Sequence, residues 1–495
     1  MGGDAPVAPP ADDRAVAHDE PTAVRPAAAS LVFVVLWGCA HRPAPDRPAT
    51  GVLPPAFSSE EGAAAPDRWW RSFGDPGLDE WIERSLAGNL SIARAWARLE
   101  QARRAAEAAG AERAPSLSVE GSARRGRSVA TIPARGTVAT TASQFALGLA
   151  TAYEVDLWGR VSAGIRAAAE EWTATRLDLE TAAMTLAAET AEAWMALREQ
   201  IALRRLLETQ LAASREYVRL VEHRFGQGLA SALDVYQQRQ QAAGVAALVP
   251  PVEARFEVLR HQLAVLAGRP PSHAPAPPAE GLVDPPPTPA AGLPADLLRR
   301  RPDVAAAQAR LRAADERLAA AVANRLPTLR LSAGAGTQSA EWSRMFDEWF
   351  WNLSGALVGP LLDGGRRRSE AERARAARDE SWLAWRQTVL QAVREVEDAL
   401  VQEWRQAETV RRLEEQRAAA ARTLEQARVA YINGQAEYLS VLSALDRFQQ
   451  AERTLVSARR QWWSHRIQLH RALGGGWTAE LAPPAHPAAP TEADG

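Results

Sequence analysis

Cys39 is the one thiol in the 495-residue chain, and its setting suits acylation better than catalysis. It follows the apolar run Ala27 to Gly38, with Arg25 just before that run. The run has the length of a signal-peptide core and is too short to span a bilayer as a helix. In Leu36-Trp37-Gly38-Cys39, a Leu three residues before the Cys and a Gly directly before it follow the spacing of a lipobox. Trp37 is bulkier than is usual there. Processing would make a lipid-bearing Cys39 the first residue of the mature chain. A thiol packed in a small apolar segment is the alternative. Upstream, Asp4, Asp12, Asp13, Asp19 and Glu20 are out of place in a leader, so we expect translation to start near Val24.

Other chemistry is hard to build from this composition. One Cys excludes a disulfide framework and a multi-Cys zinc site. The eight His show no HxH or HExxH spacing. No Gly-rich phosphate loop or nucleophile elbow is present, so no enzyme, metal or cofactor is expected. The 58 basic residues, all Arg, nearly balance 60 acidic ones, for a net charge of −2. That balance argues against a nucleic-acid partner, which would call for a basic surplus. No apolar run of about 18 residues marks a membrane helix.

The informative feature is an internal repeat. Pro115-Ser116-Leu117 and Pro327-Thr328-Leu329 lie 212 residues apart. Arg260-His261-Gln262-Leu263 and Arg466-Ile467-Gln468-Leu469 lie 206 apart, as do Gly268 and Gly474. The chain therefore divides into a signal peptide (1–39), a Pro- and Ala-rich tether (40–68), a first repeat (69–269), a Pro-rich linker (270–294), a second repeat (295–477) and a disordered tail (478–495). In each repeat a helix rich in Ala, Leu, Arg and Glu, about 80–112 or 296–325, stops before Pro115 or Pro327. These prolines mark the change from helix to strand. Two strands follow: Leu117–Gly121 with Ser143–Asp156, and Leu329–Gly334 with Leu353–Gly359, with polar loops at 124–142 and 338–348 between them. Long helices then run from Arg160 and from Gly365. In the first, Met184, Ala188, Ala191 and Met195 form a coiled-coil stripe. Both end at Gly-bearing breaks and return along helices at about 232–267 and 438–473.

Four two-faced strands flanked by helices cannot close on themselves, and open strand edges are not tolerated in lipid. Closure calls for several chains. Eight strands leave an interior about filled with side chains, so a conduit needs about twelve and a trimer is the smallest solution. Tyr153, Trp158, Phe346, Trp349, Phe350 and Trp351 at the strand ends fit aromatic girdles.

These residues resemble the TolC-like outer-membrane efflux channels, lipoprotein branch. The resemblance rests on Trp69-Trp70-Arg71-Ser72-Phe73-Gly74-Asp75-Pro76, Tyr153-Glu154-Val155-Asp156-Leu157-Trp158-Gly159-Arg160, Gly292-Leu293-Pro294, Pro360-Leu361-Leu362-Asp363-Gly364-Gly365-Arg366 and Arg471-Ala472-Leu473-Gly474. It implies a mainly α chain whose homotrimer forms a twelve-stranded barrel in outer-membrane lipid, on a long periplasmic α-helical barrel. It also implies passage of small molecules delivered by an inner-membrane pump through a periplasmic adaptor. Protein secretion and a coiled-coil adaptor are the alternatives. By this resemblance Arg224, Gly228, Ser231, Leu233, Asp234, Gly434, Tyr438 and Leu439 face the adaptor at the helix tips. The gate falls at Tyr431, Ser440, Ser443 and Asp446. The family often places an acidic ring where this chain has Ser440 and Ser443. Either Asp446 forms a displaced ring, or the gate is neutral and Tyr431 hydrogen-bonds to Arg224 or Asp234.

Overall fold

The structure, a computed structural model, describes residues 53–54, 56–58, 63–64, 67–132, 136–274 and 281–483. Cys39 and the signal peptide lie outside the described residues. The chain divides into two units, 1–42 and 43–495, and every described residue belongs to the second.

The first repeat opens with Trp69 and Trp70, both buried, and α1 (Pro76–Gly88). The Asp75 carboxylate caps α1 by accepting from Gly77 and Leu78 N–H at 3.0 and 3.2 Å. Asn89 caps α2 (Leu90–Ala111) in the same way, accepting from Ser91 N–H at 2.8 Å. Such caps satisfy amides that have no partner in the first turn. Strands β1 (Ser116–Ile132) and β2 (Gly136–Val155) follow. A 67-residue helix, α3 (Arg160–Gly226), comes next. The return is α4 (Ala232–Ala247) and α5 (Val249–Leu266), interrupted at Leu248 just before Pro250 and Pro251.

The second repeat runs α6 (Leu297–Arg300), α7 (Pro302–Ala323), β3 (Thr328–Ser339), β4 (Trp349–Val358), α8 (Arg366–Ile432) and α9 (Tyr438–Leu473). α8 also has 67 residues, and each of these two rods is about 100 Å long at 1.5 Å rise. The repeat reaches the backbone: Gly159 and Gly365, Gly228 and Gly434, and Gly268 and Gly474 all have positive φ. Each pair is 206 residues apart. The six residues separating that offset from 212 are lost between Pro327 and Gly365, where the second strand pair is shorter.

At one such pair the glycine is obligatory. A Cβ on Gly268 would sit 2.0 Å from the Gly88 carbonyl oxygen, and one on Gly474 would sit 2.5 Å from that of Arg300. Both add a left-handed φ that L-residues resist. Gly268→Ala should lower the thermal midpoint by several degrees, whereas Gly244→Ala, in open space on α4, should not. Parallel melts of the two variants check this.

The strands form one antiparallel sheet in the order β1-β2-β3-β4. The expected loop at 124–142 is instead hairpin: pairing continues to Ile132 opposite Gly136. Val129, Thr131, Thr137, Val138, Thr140 and Thr141 favour extended backbone, though their polar mixture reads as a loop. The 338–348 loop shrinks to a connection with one short turn at Trp342–Arg344.

The core is the helical body. Trp69, Trp70, Trp81, Trp194, Trp463 and Trp477 gather in one buried cluster, with Met184, Ala188, Ala191 and Met195 of the stripe. The tether and linker are less loose than their composition suggests. Phe57 is buried, and Ala63–Ala64 pairs in parallel with Pro289–Ala290. The tail also starts later than expected, because Thr478 is buried and donates to Glu180 at 3.2 Å.

Candidate functional site

Register gives the sheet two unlike faces, because side chains alternate along each strand. On one face Ser118 lies opposite Ala150, Ala150 opposite Gly334, and Gly334 opposite Asn352. Glu120 and Ser332 share that side. These small and polar groups line a trough of about 760 Å³. On the other face Val119 lies opposite Leu149, Leu149 opposite Ala335, and Ala335 opposite Trp351. Leu117, Leu353, Leu357 and Trp349 continue it and are exposed. The pairing of β3 with β4 covers ten residues, a band near the 25 Å of an outer-membrane barrel once strand tilt is allowed for. Among the described residues, β1 and β4 each have a neighbour on one side only.

Helices leave the sheet at two matched corners. Asp156 accepts from Val161 and Ser162 N–H at 3.0 and 2.8 Å, and Asp363 accepts from Gly365 and Arg367 N–H at 3.0 and 3.1 Å. Pro115 and Pro327 each stand directly before a strand. The Trp158 indole N–H donates to the Pro327 carbonyl at 2.6 Å, which pins the corner of one repeat to that of the other.

At the far ends of the rods are two tips. Both breaks close alike: Leu229 N–H donates to Arg224 O and Gln435 N–H to Ala430 O, each at 2.8 Å, around Gly228 and Gly434. Their carbonyls are satisfied by this left-handed ending. Ser231 and Asp234 form a reciprocal capping box, at 3.1 and 2.8 Å. Leu233 and Leu439 are exposed by 63% and 53%. Phe225, Leu229, Tyr236 and Ile432 are also exposed and extend the same apolar ends. Sequence reasoning missed these four, although apolar residues beside a turn glycine were the available signal.

Tyr438 does not face outward. It is buried with Val221, Val235 and Val441, and its hydroxyl donates to Gln238 Oε1 at 2.6 Å. Burial pushes its phenol pKa far above the usual value. Tyr438 is the first residue of α9, and α9 packs that side onto the first tip.

The hydrogen bond expected at Tyr431 is absent. The Arg224 guanidinium lies over the Tyr431 ring, 4.7 Å from its centroid, and the ring meets Tyr438 edge to face at 5.3 Å. The Tyr431 hydroxyl has no partner among the described residues, and Asp234 is occupied by its cap. Ser440, Ser443 and Asp446 are exposed at three-residue spacing along α9. Asp446 accepts from Gln241 at 3.4 Å.

Comparison with known proteins gives a consistent result. The family model "Outer membrane efflux protein" matches residues 81–269 and 293–475. The pyoverdine export outer membrane protein OpmQ of Pseudomonas putida is 31% identical, over 88% of this chain and 95% of its own. Outer membrane protein OprJ of Pseudomonas aeruginosa is 32% identical, over 91% and 95%. The solved outer-membrane channel OprN superposes with a TM-score of 0.81 at 27% identity, covering 88% of this chain and 99% of that one. VceC of Vibrio cholerae gives 0.77 at 27%, over 83% and 100%. The chain belongs to the outer membrane efflux protein family, in which the similar OprN is an outer-membrane channel.

Proposed function

We propose that three copies of this chain close into one conduit that conducts small molecules passively across the outer membrane, supplied by an inner-membrane pump through a periplasmic adaptor. The observation that carries this reading is the sheet: one small polar face, one apolar face and two edges unpaired among the described residues. Joining β1 of each copy to β4 of the next satisfies both edges and puts the polar face inside. The helices continue the path into the periplasm. Their exposed apolar ends at Leu233 and Leu439, beside Phe225, Leu229 and Ile432, suit the adaptor. Lipid on Cys39 would add a membrane anchor. Light scattering of the detergent-extracted protein, corrected for detergent, should give three times the mature mass. A monomer would end this reading.

The gate is proposed to rest on the Arg224–Tyr431 contact, with Ser440, Ser443 and Asp446 further along α9. A cation–π contact of this exposure contributes about 0.5–1 kcal/mol. Arg224→Gln should therefore raise mean conductance in planar bilayers, through the open probability, by about two- to fivefold per broken contact, with Arg224→Lys in between. Tyr431→Phe should leave conductance unchanged, since the ring is kept and the hydroxyl has no partner. A rise with Tyr431→Phe would restore the hydrogen-bonded gate.

A further inference from the structure

The β1–β2 hairpin outruns the rest of the sheet. β3 leaves β2 at Ser339, opposite Phe145, whereas β1 and β2 stay paired to Ile132 and Gly136. Residues 124–132 and 136–144 thus form a two-stranded ribbon beyond the apolar band, at the end opposite the helices. Along β1 the apolar face reads Leu117, Val119, Gly121, Ala123, Arg125, Arg127. At Ala123 the face changes character. Its partner Phe145 packs edge to face on Trp342 at 5.6 Å, which marks the aromatic rim. The next two residues of that face are arginines, about 6.6 Å apart along the strand at 3.3 Å per residue.

Arg125 and Arg127 are exposed, and neither has a carboxylate partner among the described residues. Asp347, in the β3–β4 connection, is held by Arg344 at 3.2 Å. Opposite the two arginines stand Ser143 and Thr141, whose hydroxyls are further donors on the same face. Two guanidiniums and two hydroxyls, just outside an aromatic rim on the lipid-facing side, make a donor-rich surface on the ribbon itself, while the exposed Glu341 and Glu348 belong to the β3–β4 connection. Guanidinium forks match phosphate oxygens in pairs.

We propose that Arg125 and Arg127, with Ser143 and Thr141, bind the phosphate of a phosphorylated glycolipid in the outer leaflet. This rests on the trimeric-barrel reading, which sets the apolar face toward lipid. The commitment to an outer-leaflet lipid follows from position: the ribbon leaves the membrane on the side away from the periplasmic helices, and the arginines face the bilayer, not the lumen. Arg124, between Ala123 and Arg125, points to the other face and serves as the internal control.

Native mass spectrometry of the detergent-purified protein, titrated with diphosphorylated lipid A, tests this. Arg125→Gln/Arg127→Gln should bind at least tenfold more weakly than the parent, and Arg124→Gln within twofold of it. With the parent protein, enzymatically dephosphorylated lipid A should lose the same tenfold, and this comparison decides the matter if the double variant does not assemble. Equal binding of the dephosphorylated lipid, an unchanged double variant, or an equal loss in Arg124→Gln would overturn the proposal. The same spectra report the oligomer: a trimer that ignores phosphate sinks this inference alone, and a monomer sinks the barrel with it.

Discussion

Glu403→Ala should lower stability by about 3–5 kcal/mol, because it strands a buried guanidinium. Glu403 on α8 and Arg466 on α9 form an ion pair with both partners buried. Arg466 also donates to the Pro286 carbonyl, to Pro287 O at 3.0 Å and to Thr288 Oγ1 at 3.1 Å. Glu403 in turn accepts from Trp462 at 3.0 Å and from Thr288 at 3.2 Å. The pair thereby holds the inter-repeat linker against α8 and α9. Removing the carboxylate leaves a desolvated guanidinium with only neutral acceptors. Glu403→Gln keeps an acceptor and should lose less. Glu403→Met/Arg466→Met should recover much of the loss, because a matched apolar pair carries no desolvation penalty. Thermal melts rank the three variants, and limited proteolysis should show the linker cut first in Glu403→Ala. If Glu403→Ala melts within a degree of the parent, the pair is not what secures the linker.

The architecture was legible because its signals are local. Prolines and glycines stop helices wherever they stand, so Pro115, Pro327, Gly228 and Gly434 located the element boundaries. The rods followed from long stretches without Pro. The Glu403–Arg466 pair was not legible, because its partners sit 63 residues apart on different helices and nothing in either helix names the other. Tyr438 failed for a related reason. A turn shows that a residue is near the tip, whereas the packing of α9 on α3 and α4 decides which side it faces. The ribbon at 124–144 failed because both its faces are polar, so no alternation of apolar residues announced it. At Tyr431 the sequence named the right pair with Arg224 and the wrong contact, since a ring can be used through its face as well as through its hydroxyl.

His470 makes stability depend on pH in a calculable direction. Its ring stacks on Trp69 with centroids 5.3 Å apart and meets the edge of Phe73 at 5.6 Å. Burial, aided by the like charge of Arg466 one turn earlier, pushes its pKa down from 6.5 to about 3. The folded protein therefore keeps His470 neutral at pH values where the unfolded chain protonates it. Between about pH 6.5 and 3 the unfolded state holds one more proton at this site, so stability falls as pH falls, by up to about 1.4 kcal/mol per unit. The contribution is fully present above pH 6.5, and about 2 kcal/mol of it is gone at pH 5. His470→Phe offers a ring that can still stack on Trp69 and cannot take a proton, and His470 Nδ1 has no hydrogen-bond partner among the described residues. Other groups titrate in the same range, so the quantity to measure is the difference between variant and parent. That difference should move in favour of His470→Phe between pH 7.5 and pH 5, by several degrees in the thermal midpoint. If the parent and variant midpoints fall in parallel over that interval, His470 is charged or reorganised in the folded state and its burial does not set the acid limit.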